Sequence, residues 1–198
     1  MNRRVLILAV LALSFIGLGI RLFLFSNNET QISDGERFAL EYPLVGSGNI
    51  FVYRSASETA DILAYGTGIV FIGFKECSWC QAYAVFLHEV ALEMGIDRIY
   101  YCDIREDRES GSESYLRILE TLAGRLQRDD EGRPRLYVPD LTIVNDGSIS
   151  ARDFETSKET LGFSTPEEYW SEERINALKE RLRAGMRLLN DSKPCYIC

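Results

Sequence analysis

The sequence predicts an α/β domain, a central mixed sheet flanked by helices on both faces. Residues 69–74 form an unbroken apolar run, which suits an interior strand covered on both sides rather than a half-exposed one. Segments with apolar residues at helical spacing lie between the strand-like runs, and strands separated by helices require a sheet with two covered faces. Further on, Asn145-Asp146-Gly147 is a hairpin signal between two short apolar stretches, which adds an antiparallel pair.

Taken in order, residues 27–37 are polar and read as a tether, within a lead-in spanning 27–48. Residues 49–53 read as a strand, and residues 57–65 as a short helix capped by Ser55 or Ser57 and closed by Gly66 and Gly68. After the 69–74 strand, residues 79–94 set Ala82, Tyr83, Phe86, Leu87, Val90, Ala91 and Met94 at helical spacing, with Gly95 as the stop. Residues 99–102 form a second short apolar strand, ended by Asp103 and a charged loop. Residues 114–126 carry Tyr115, Ile118, Leu119, Leu122 and Leu126 on one helical face. Residues 136–138 and 141–144 read as strands interrupted by Pro139, and residues 149–154 as the strand returning from the hairpin. A last helix is expected from Pro166 to residue 189, with Ile175, Leu178, Leu182, Met186 and Leu189 inward. The domain so defined covers residues 49–190, leaving 191–198 as a tail. At 198 residues the chain has room for one domain with a proper core rather than two.

The N-terminal segment, residues 1–26, is of another kind. Residues 5–25 are apolar apart from Ser14 and Arg21, long enough at helical rise to cross the hydrocarbon layer. Arg21 lies near the far end, where it can snorkel to the interface. Arg3 and Arg4 before the span favour a cytoplasmic N-terminus, which would put the domain outside the cytoplasm as a single-pass membrane protein. The competing reading is a cleaved signal peptide, with Gly17-Leu18-Gly19 as a poor cleavage site; the domain would then be secreted. The formal net charge of −8 argues against nucleic acid as a partner, since phosphate binding needs a basic face.

The chemistry-bearing motif is Cys77-Ser78-Trp79-Cys80. It follows the buried strand and opens a helix, so two thiols three residues apart can interconvert between dithiol and disulfide. The first would lie at a helix N-terminus, where a thiolate is stabilised. Lys75 adds a favourable charge and Glu76 opposes it, and the two largely cancel at an exposed rim. Trp79 is expected to be exposed, as an apolar platform for a substrate. A static disulfide and a metal site are the other readings of such a pair; zinc takes about four ligands, and the other Cys-x-x-Cys is at the tail, Cys195-Tyr196-Ile197-Cys198. Neither a resident metal nor a cofactor is expected, and no nicotinamide or flavin fingerprint is present.

Together these marks resemble the thioredoxin-like proteins, in particular the membrane-anchored or exported bacteriocin-transport-accessory type of Gram-positive bacteria. The resemblance covers residues 49–189 and rests on Gly68-Ile69-Val70-Phe71-Ile72-Gly73-Phe74 running into the cysteine pair, then Tyr100-Tyr101-Cys102-Asp103, Val138-Pro139 and the Asn145 hairpin. It implies a thioredoxin-like fold, Cys77 as attacking nucleophile and Cys80 as the resolving thiol. It implies a cis Pro139 facing the pair and Val138 presenting its backbone to a substrate chain. Two departures stand out. Phe71 falls where thioredoxins carry a buried aspartate, and Ser78-Trp79 replaces their Gly-Pro.

The remaining candidates read more plainly. The tail dithiol of Cys195 and Cys198 is an accessory redox pair in exchange with Cys77 and Cys80, or a terminal disulfide of no catalytic use. Cys102 reads as a small buried hydrophobe, His88 as a surface or half-buried helix residue, and Asp129, Asp130 and Glu131 as a loop without calcium-site spacing. The sequence therefore predicts a thiol–disulfide oxidoreductase acting on exported proteins or peptides and recycled by a thiol redox partner. The alternative is a non-catalytic accessory or binding module for peptide export or assembly, whose pair is a structural disulfide.

Overall fold

The computed structural model describes residues 32–153 and 162–191. In chain order its strands are β1 (Phe51–Tyr53), β2 (Gly68–Gly73), β3 (Ile99–Asp103), β4 (Gln127–Arg128), β5 (Pro134–Arg135), β6 (Asp140–Asn145) and β7 (Ser148–Asp153). Its helices are α1 (Asp34–Glu41), α2 (Ala56–Tyr65), α3 (Ser78–Glu93), α4 (Arg105–Ser110), α5 (Glu113–Thr121), α6 (Pro166–Tyr169) and α7 (Glu172–Asp191). The central sheet has the order β1-β3-β2-β6-β7, with β1, β3 and β2 parallel and β6 and β7 antiparallel.

Strand β2 shows why the apolar run has no alternation. Ile69 and Phe71 enter one core with Phe38, Tyr83, Leu87, Tyr101 and Leu182, whereas Val70 and Ile72 enter another with Ala60, Leu63, Ile118 and Leu122. Helices α1, α3 and α7 cover the first face, and α2 and α5 the second. Both faces are fully dry along β2, so every side chain there must be apolar. This is a mixed sheet flanked by helices, as expected.

Local chemistry accounts for the element ends. Ser55 caps α2 in a reciprocal box with Glu58. The β6–β7 hairpin turns through Asp146 (φ 45°) and Gly147 (φ 73°). Gly147 is confined twice: its N–H donates to Gly66 O at 2.9 Å, and a Cβ would lie 2.1 Å from Ala64 O. On the open edge of β1, Asn49 Oδ1 accepts the Phe51 N–H at 3.2 Å and Asp34 Oδ2 accepts the Tyr53 N–H at 3.1 Å.

The structure departs from the sequence-based elements at five places. The helix expected over residues 114–126 stops at Thr121 as α5, and the chain beyond it turns into the β4–β5 hairpin. Residues 34–41, read as part of the lead-in, form α1, whose Phe38 stacks on Tyr42 and Phe51 in the core. The charged stretch after Asp103 is not a loop but helix α4, ended by Gly111 in the left-handed region (φ 63°). Residues 136–138 are not a strand: Leu136 is buried in the second core and the chain then turns through a cis Val138–Pro139 bond. The last helix is broken at Trp170 into α6 and α7, because Ser171 Oγ accepts the Arg174 N–H and starts a new helix. The expected span over residues 5–25 and the tail cysteines lie outside the described residues. Among the described residues no helix is long and apolar enough to cross a membrane.

Candidate functional site

Strand β2 delivers the chain into a turn in which the Cys77 N–H donates to Phe74 O at 3.1 Å. Cys77 is then the N-cap of α3, with extended backbone, and its Sγ accepts the Cys80 N–H at 3.1 Å. A sulfur in that position faces the positive end of a helix dipole. The Gln81 side chain fastens this turn to its surroundings, donating to Lys75 O at 2.8 Å and to Glu41 O at 2.7 Å.

The two thiols differ sharply. Cys77 is half-buried, Cys80 is 0 % exposed, and both are free. The Cys77 thiol is held below the usual thiol range, chiefly by a hydrogen bond from the Cys80 thiol, helped by the Cys80 and Trp79 N–H groups and the Arg108 charge, against the cost of burial. The Cys80 thiol is pushed well up, first by burial and then by its proximity to Cys77. The surroundings thus favour the anionic form of the first thiol and the protonated form of the second.

Register places the proline loop against this pair. Ile72 of β2 pairs with Asp140 of β6, which sets Pro139 level with Gly73. Gly73 is where Cys80 packs: a Cβ there would lie 3.2 Å from its Sγ. Pro139 is buried, whereas Val138 is half-buried and packs against both cores. Trp79 is half-buried rather than exposed, because its ring packs edge-on against Tyr169 of α6 at 5.5 Å. Beside the rim lies a crevice of about 590 Å³ whose lining includes Glu41, Lys75, Glu76, Asp103 and Arg105.

Four groups with no distinguishing sequence signal join the site or the buried region beside it. Arg108 of α4 lies over the Phe74 ring at 5.1 Å and acts on both thiols. Its neighbour Arg105 pairs with Glu76 at 3.2 Å, which partly offsets the charge expected to oppose the thiolate. Asp140, directly after Pro139, is fully buried against Arg152 and accepts from the Thr142 hydroxyl at 3.0 Å. Burial pushes its carboxyl up while the Arg152 charge holds it down. Tyr83 of α3 donates to Asp153 at 2.8 Å in the same buried region.

Cys102 lies on the other face of the sheet, 0 % exposed, its thiol pushed up to about 12 by burial. His88 is half-buried near the Phe51 ring, and burial lowers its pKa. Asp129 and Glu131 both pair with Arg133 at the β4–β5 hairpin. Among the described residues, no group of three or more His, Cys, Asp or Glu side chains could hold a metal ion.

The architecture, with a Cys-x-x-Cys pair at the β2–α3 junction and a cis proline level with it, is consistent with a thioredoxin-like α/β domain carrying a redox-active dithiol. Neither a protein-family model nor a curated protein matches the chain.

Proposed function

We propose that the protein is a thiol–disulfide oxidoreductase. The observation that carries this reading is the asymmetry of the pair: a half-buried Cys77 caps α3, its Sγ accepting the Cys80 N–H, while Cys80 is fully buried, and this lowers the pKa of the first thiol and raises that of the second. In the reductive direction the Cys77 thiolate attacks a client disulfide and forms a mixed disulfide. Cys80 then attacks Cys77 and releases the reduced client; oxidation of a client dithiol runs through the same steps in reverse. Val138, beside Pro139, offers backbone groups to the client chain, and the half-buried Trp79 offers it an apolar shelf. The clients are proteins or peptides, and a second thiol protein or small thiol recycles the pair.

The apolar stretch over residues 5–25 and the resemblance to the bacteriocin-transport-accessory type extend this proposal to a membrane-tethered enzyme acting on exported chains. Cys195 and Cys198 extend it to an accessory dithiol. The test is exchange with a model peptide disulfide. The wild-type protein reduces it, Cys77→Ser is folded and inactive, and Cys80→Ser traps the peptide on Cys77. A folded Cys77→Ser protein with full exchange activity would refute the proposal. Equilibration in glutathione buffers then fixes the direction: a potential near −270 mV marks a reductant, and one near −120 mV an oxidant.

A further inference from the structure

If Cys77 and Cys80 exchange disulfides as proposed, Cys80 must lose a proton inside the core. It is 0 % exposed, and burial holds its proton firmly. Strand β2 beneath it supplies only Ile69, Phe71 and Gly73 on that face, none of which can hydrogen-bond through a side chain. The polar groups come from two other elements. Tyr42 follows the last residue of α1, and Tyr101 lies on β3 in register with Phe71. Both are buried, their rings 6.4 and 5.7 Å from that of Phe71, and their hydroxyls are 3.0 Å apart.

The placement of Tyr42 is fixed from the redox helix itself. Gln81, the residue after Cys80, donates to Glu41 O, the residue before Tyr42, at 2.7 Å. The electrostatics agree: Cys80 acts on both tyrosines and Cys77 on Tyr42. Either hydroxyl of the pair can be the donor. When Tyr101 donates to Tyr42, the Tyr42 proton is free for another acceptor.

We propose that Tyr42, backed by Tyr101, donates a hydrogen bond to the Cys80 sulfur as that sulfur becomes anionic and attacks Cys77. The tyrosines are positioning residues and keep their protons throughout. In the step, the Cys80 S–H bond breaks and the Cys77–Cys80 bond forms while the Cys77–client bond breaks. The proton leaves with the departing client thiolate, the client is reduced and the dithiol is oxidised. The other ionisable groups around Cys80 are Cys77 on its own helix and Arg108 on α4, which favours the anion. Asp140 on β6 is committed to Arg152 and Thr142, Tyr83 to Asp153, and Asp103 beyond Tyr101 accepts the Arg105 N–H.

The experiment uses the full chain with Cys102→Ala, Cys195→Ser and Cys198→Ser, so that only the redox pair reacts with dithiobis(nitrobenzoate). Attack by Cys77 releases the first nitrothiophenolate, and resolution by Cys80 releases the second. Tyr42→Phe and Tyr101→Phe should each slow the second release by about tenfold at neutral pH and move its pH midpoint upward, with the first release unchanged. A double variant with an unaltered second phase and midpoint overturns the proposal, as does an equal slowing of both phases. Should Tyr42→Phe fail to fold by circular dichroism, Tyr101→Phe decides alone. A parent protein that releases neither product refutes the oxidoreductase reading instead, so the two failures are distinct.

Discussion

Cys80 and Cys102 are equally buried, each on one face of the same sheet, and only their neighbours tell them apart. Cys80 lies on the face with α1, α3 and α7, among Tyr42, Tyr83, Tyr101 and the half-buried Cys77. Cys102 lies on the face with α2 and α5, among Ala60, Leu63, Ile72 and Ile118, with the Thr59 hydroxyl as its polar neighbour. Burial alone therefore makes a thiol inert. What sets Cys80 apart is a second thiol at a helix N-terminus and the Arg108 charge, which suit it to the proposed exchange.

The sharpest break of this comparison is mutational. Cys77→Ser and Cys80→Ser should each reduce peptide-disulfide exchange to background, whereas Cys102→Ala should leave its rate unchanged; a loss of exchange in Cys102→Ala would place the reactive thiol on the wrong face. Next in size is the buried charge near the cysteine pair. Arg152→Met leaves the Asp140 carboxyl buried without its partner, and urea unfolding should show a loss of about 3–5 kcal/mol. Arg108→Gln should act on reactivity rather than stability. Rates of iodoacetamide labelling at neutral pH should fall severalfold at Cys77, with the pH midpoint moving upward, since the cation favours the thiolate from a partly exposed position.

The smallest effect is a difference in sign with pH. The folded pKa of Cys77 is depressed, so its contribution to stability is present above the unfolded thiol value and lost as pH falls through the folded one. Cys102 is the reverse: its contribution is intact below the unfolded value and lost as pH rises toward about 12. Cys102→Ala should cost about 1 kcal/mol at neutral pH and flatten the alkaline loss of stability of the reduced protein, measured by denaturant titration across that window.

What was legible in the sequence followed from local rules. The uninterrupted apolar run of β2, the Ser55 cap, the Asp146-Gly147 turn and the cysteine pair before a helix each act within a few residues. What was not legible depends on contacts between distant segments. Arg108 reaches the thiols only because residues 105–110 coil into a helix over Phe74. Trp79 loses its exposure to Tyr169, ninety positions away. Tyr42 enters the core because α1, amid polar residues, buries one face against β1 and β3. Strand periodicity likewise misled at residues 136–138, where Leu136 is apolar because it plugs a core and not because it pairs in the sheet.

The two hydrogen bonds on the outer edge of β1 have a consequence for self-association. An edge strand with free N–H groups is a template for a strand of another molecule. Here the outward N–H groups of Phe51 and Tyr53 are taken by side chains, one from Asn49 and one from Asp34 at the start of α1. That helix is thus a guard rail as well as a core element. A chain shortened to begin at residue 49 would bare the Tyr53 donor and the apolar groove vacated by Phe38, and should aggregate through that edge.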